Sequence, residues 1–99
     1  MNMQQMLMQA QKMQRELQKA QDALKAKEFS VSKGGAVTVI VMGDRKVKSI
    51  SVDDDAFDKD NKEMVEEMIA MAINEAIEQI DAESAAINEQ ITGRSSGLF

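Results

Sequence analysis

The sequence predicts a small α+β fold: a long helix, a short strand, a β-hairpin, and a second long helix, with the strands in a small antiparallel sheet. Three observations predict it. Residues 1–27 contain no Gly, no Pro and no β-branched residue, and are rich in Gln, Met, Lys, Leu and Ala, all good helix formers. Residues 36–52 hold two short β-type runs around Gly43-Asp44-Arg45, where a Gly and an Asp suit a chain reversal. Residues 61–92 place apolar side chains at helical spacing.

In the first helix Met3, Met6, Ala10, Met13, Leu17, Ala20 and Leu24 recur at alternating steps of three and four, forming an a/d seam. A helix over residues 1–27 is about 40 Å long, more than a small sheet spans, so part of the seam is expected to meet another helix. The outer face carries Lys12, Arg15 and Lys19 at i, i+3 and i+7, one row pointing away from the seam, with Glu16 within pairing reach. Gln4, Gln5, Gln9, Gln11, Gln14, Gln18 and Gln21 surround this row with neutral donors and acceptors, a surface suited to phosphates without strong sequence readout.

Glu28 to Ser32 alternates, with Phe29 and Val31 on one side, and reads as a strand with one wet face. Lys33-Gly34-Gly35 is a turn, since no helix follows to make it a phosphate loop. In Ala36 to Met42, Val37, Val39 and Val41 share one face, and Ala36, Thr38, Ile40 and Met42 the other. Neither face is charged, so this strand is expected to be covered on both sides. One small domain does not easily cover both, which predicts a homodimer with Val37, Val39, Val41 and Ile40 at its interface. The next strand, Lys46 to Val52, is expected to be wet at Lys46 and Lys48 and buried at Ile50 and Val52.

Five aspartates follow between Asp53 and Asp60. They fit a turn and a helix start better than a metal site: no EF-hand glycine is present, and Asp60 with Glu63 makes a capping-box-like pattern. The second helix is expected from about Asn61 to Thr92, with Met64 to Ile80 covering the sheet and Asp81 to Ile91 forming a second projecting arm. Gly93 is expected to stop it, leaving residues 93–99 as a loose tail.

Ninety-nine residues make one domain, 1–99. There is no Cys for disulfide or thiol chemistry, and no His. No basic apolar leader opens the chain and no run is long enough to cross a bilayer, so a cytoplasmic protein without membrane contact is expected. The net charge of −5 is split unevenly. Residues 1–52 carry nine basic against four acidic residues, and residues 53–99 three against thirteen. A basic half allows a polyanion partner although the whole chain is acidic. Catalysis finds no support, because the serines on the strands lack a base, and neither a cofactor nor a small-molecule substrate is expected. The absence of Tyr and Trp argues against stacking recognition of single strands.

Taken in order, MQAQKMQRELQKAQDAL at 8–24, GGAVTVIVMGDRKVKSISVD at 34–53, MIAMAINEAIEQI at 68–80 and the closing GLF resemble the YbaB/EbfC family of bacterial nucleoid-associated proteins. The resemblance covers nearly the whole length. It implies an α–β–β–β–α fold, a tweezer-like homodimer with projecting helical arms, duplex DNA as partner and a nucleoid location. The family offers no single contact motif to carry over, so the DNA-binding candidates rest on charge and helical position: Lys12, Arg15 and Lys19 first, Lys46 and Lys48 second. A second reading is a protein-interaction or chaperone-like module that grips polypeptides with Met-rich helical arms.

Overall fold

The structure, a computed structural model, describes residues 2–95, with side chains through residue 93. The first helix, α1, runs Met3–Lys25. Its start is fixed by a capping box absent from the sequence expectations: the Asn2 side chain accepts the Gln5 N–H at 2.8 Å, and Gln5 Oε1 accepts the Asn2 N–H at 3.4 Å. Strands β1 Glu28–Lys33, β2 Val37–Met42 and β3 Val47–Val52 form an antiparallel sheet in that order. Two 3₁₀ turns, Asp54–Ala56 and Lys59–Asn61, lead into α2, Lys62–Ser95. The architecture is therefore α–β–β–β–α.

The two hairpin turns solve the reversal differently. Gly34 and Gly35 both take positive φ (58° and 66°), as mirror-image hairpin turns demand. In the β2–β3 turn the left-handed residue is Arg45 (φ 74°), not Gly43. Gly43 serves another purpose, a close approach to α1, and its N–H donates to the Lys27 carbonyl at 2.9 Å. Asp44 supports the turn by accepting the Lys46 N–H at 3.0 Å.

The core lies between the sheet and α2. Phe29 and Val31 of β1 and Val37, Val39 and Val41 of β2 face Ala72, Ala76 and Ile80 of α2, with Leu24 of α1 closing one end. Ala72 and Ala76 are small enough to let the helix sit close on the valines. Each fully buried valine contributes on the order of 1.5–2 kcal/mol. The valines expected at a dimer interface are thus covered by the chain's own second helix, and Ile40 lies on the opposite face.

That opposite face is half-exposed at Thr38, Ile40 and Met42, so β2 is not fully covered on both sides within one chain. Around Ile40 and Met42 it is a hydroxyl surface of Ser30, Ser32, Thr38, Ser49 and Ser51, in which Ser32 Oγ and Thr38 Oγ1 lie 2.9 Å apart. Strand β3 also departs from expectation. Ile50 is 47% exposed and Val47 44%, although both lie on the sheet face that α2 covers elsewhere. The reason is placement: α2 lies along β1 and β2 and barely reaches this edge strand. The register shifts between Ile40, opposite Ser49, and Val41, opposite Val47, leaving Lys48 without a cross-strand partner in β2.

The acidic segment caps a turn rather than α2 itself. Asp58 accepts the Asp60 N–H at 3.0 Å, and Asp60 falls inside the 3₁₀ turn, not at the cap of α2. Among the described residues no group of carboxylates converges as a metal site. Helix α2 does not stop at Gly93 but continues to Ser95. The rest of the expected tail, residues 96–99, lies outside the described residues, as does Met1. The second half of α2 is not a separate arm. It packs antiparallel on α1, with Gln21 Nε2 donating to Asn88 Oδ1 at 3.3 Å and Ser84 Oγ donating to Gln21 Oε1 at 3.3 Å. Together they make one two-helix arm, and the molecule extends over 69 × 19 × 15 Å.

Candidate nucleic-acid interface

Burial along α1 fixes its orientation. Met13, Glu16, Leu17, Ala20 and Gln21 are half-buried and Leu24 is buried, while Lys12, Arg15 and Lys19 are exposed. At 100° per residue, the three cations sit roughly 130° from the covered face. The row therefore points to solvent, away from α2, as its spacing predicts.

The uneven charge halves meet inside the molecule. Lys27 pairs with Glu83 at 2.7 Å, Lys33 with Glu75, and Arg45 with Asp81, so three cations of the basic half are spent on acids of α2. Lys48 is held by Glu28 across the sheet, and Lys25 lies 3.9 Å from Asp22. The exposed pairs each contribute about 0–1 kcal/mol to stability, the Lys33–Glu75 pair is half-buried, and all of them remove positive charge from any polyanion. Among the described residues, Lys12, Arg15, Lys19, Lys46 and Lys59 enter no ion pair, and all five are exposed; Lys59 stands in the acidic half, in the 3₁₀ turn before α2.

The structure thus separates the five sequence candidates. Lys12, Arg15 and Lys19 form one row on the arm. Lys46 stands at the β2–β3 turn, apart from that row, and the Lys48 ammonium is already engaged. The Lys48 pairing was not legible in the sequence, because Glu28 and Lys48 come together only through the three-stranded register. Outward along the arm, Arg15 shares a shallow groove with Gln11, Gln14 and Gln18. A second, apolar hollow of about 440 Å³ lies at the start of α2, lined by Ala56, Phe57, Lys62 and Val65 among others. Among the described residues no helix is long and apolar enough to cross a membrane.

A two-helix arm thus stands on a small sheet, with Lys12, Arg15 and Lys19 exposed in one row along its outer side. The YbaB/EbfC DNA-binding family matches residues 1–95, and the chain belongs to that family. Similar curated proteins include a nucleoid-associated protein of Clostridium novyi (strain NT), 42% identical over all of this chain and 90% of its own length. Another, from Ruminiclostridium cellulolyticum, is 37% identical over 98% of this chain and 85% of its own. A third, from Chloroflexus aurantiacus, is 36% identical over the full length of both.

Proposed function

We propose that the protein is a non-enzymatic, nucleoid-associated protein of the cytoplasm that binds duplex DNA as a homodimer, mainly through the phosphate backbone. The observation that carries this reading is the selective pairing of charge: the acidic helix takes up cations elsewhere, while Lys12, Arg15 and Lys19 stay exposed in one row. Acidic α2 faces away from the duplex in this arrangement, since like charges repel. The second copy rests on the apolar flank of β3 at Val47 and Ile50, because the core valines are already covered.

Fluorescence anisotropy with duplex DNA at two salt concentrations tests the reading. Affinity is expected to fall steeply with salt, as counterion release requires. The variant Lys12→Gln/Arg15→Gln/Lys19→Gln is expected to bind all duplexes more weakly. Equal binding by parent and variant at the same salt sinks the proposal.

One observation favours the polypeptide-gripping alternative: Met3, Leu7 and Met8 are 85%, 58% and 62% exposed near the end of the arm. An apolar grip does not weaken with salt, so the same titration separates the two readings.

A further inference from the structure

The outer side of α1 carries a second pattern beside the cations. Gln4, Gln11 and Gln18 recur every seven residues and so lie on one line along the helix, with Gln14 and Arg15 beside it. Gln21, on the inner side, has both ends of its amide taken by α2. Gln18 donates to Asp22 at 3.0 Å. Gln4, Gln11 and Gln14 are exposed and make no hydrogen bond through their amides among the described residues. Residues 2–11 carry no charged side chain, so beyond the first turn of α1 this part of the arm presents amides and apolar groups.

The register of Gln21 beside Asn88 sets Ser95 opposite about residue 14 of α1. The first three turns of α1 therefore stand beyond the described part of α2 as a single helix. A helix with its side chains is about 10–12 Å across, and the major groove is about 12 Å wide. Gln amides pair in bidentate fashion with N6 and N7 of adenine, and Arg with O6 and N7 of guanine.

We propose that the amide row of Gln4, Gln11 and Gln14, with Arg15, enters the major groove and reads base edges, while Lys12 and Lys19 hold the flanking phosphates. This rests on the DNA-binding reading above and adds a sequence preference to it. Gln4 and Gln11 are about 10 Å apart along the helix axis, near three base steps, so the preferred bases fall at about that spacing.

The test measures the full chain against a panel of duplexes of equal length at one salt concentration. The parent protein is compared with Gln11→Ala/Gln14→Ala and with Lys12→Gln/Lys19→Gln. Alanine keeps α1 helical, which circular dichroism checks. The parent is expected to show a spread of roughly tenfold or more across the panel, the effect of one or two base-edge contacts. In the amide variant the spread collapses, while the salt slope stays as in the parent. In the cation variant every duplex is bound more weakly and the spread remains. Parent binding of equal strength to every duplex overturns the inference and leaves the DNA-binding reading standing, as does an amide variant with undiminished spread. No binding by the parent at low salt overturns both.

Discussion

Gly43 lies so close to the end of α1 that a Cβ built on it would stand 1.7 Å from the carbonyl oxygen of Leu24 and 2.6 Å from its carbonyl carbon. Leu24 is itself buried in the core, and the Gly43 N–H holds the Lys27 carbonyl. The β2–β3 turn therefore clamps the root of the arm, and the direction of α1 depends on a missing methyl group.

Gly43→Ala tests that clamp. Backbone atoms cannot turn aside as a flexible side chain does, so α1 must shift off the sheet and Leu24 with it. A loss of about 3 kcal/mol or more is expected in urea unfolding. A melt unchanged from the parent would show that α1 is not fixed there.

Arg45 gives a contrasting case in the same turn. Its positive φ is strained for any residue but Gly, while its guanidinium pairs with Asp81 at a half-exposed site. Arg45→Gly relieves the strain and loses the pair, so stability is expected to change by less than about 1 kcal/mol. Arg45→Val keeps the strain with a β-branched side chain and is expected to cost about 2 kcal/mol. Thermal melts that rank Val equal to Gly would remove the left-handed turn from the account.

Val39 and Ile50 face each other across β2 and β3 on the same side of the sheet, yet one is fully buried and the other 47% exposed. Val39→Asp is expected to cost more than about 4 kcal/mol and leave the chain unfolded, because it places an unpaired charge against Ala72 and Ala76. Ile50→Glu is expected to keep the far-ultraviolet spectrum and, if a second copy covers this flank, to sediment as a monomer. A folded dimer of Ile50→Glu places the partner elsewhere.

Element types and order were legible because local chemistry decided them. The seam from Met13 to Leu24, the wet and dry alternation of Phe29 and Val31, and the outward row of Lys12, Arg15 and Lys19 follow from periodicity alone. What escaped depended on contacts distant in sequence. That Val39 is already covered by Ala72 and Ala76 within its own chain follows from where α2 lies. The continuation of α2 through Gly93 shows a helix holding past a residue that only weakens it locally.

The pairing of Lys48 leads to the sharpest comparison at the candidate site. Lys12 and Lys48 are both exposed lysines in the basic half, so charge alone ranks them equally. Their surroundings differ: Lys48 is neutralised by Glu28, whereas Lys12 makes no ion pair among the described residues. A phosphate that drew Lys48 away would leave the Glu28 carboxylate behind and gain little net charge neutralisation. Lys12→Gln is therefore expected to reduce the magnitude of the log–log salt slope for duplex binding by about 0.9 per copy of the chain. Lys48→Gln is expected to change the slope much less, and Glu28→Gln, which releases the Lys48 ammonium, to strengthen binding at low salt. Anisotropy titrations of the three variants over the same salt range check this. If Lys48→Gln lowers the slope as much as Lys12→Gln does, the ion pair does not hold Lys48 back from the duplex, and the contact surface extends from the arm onto the sheet.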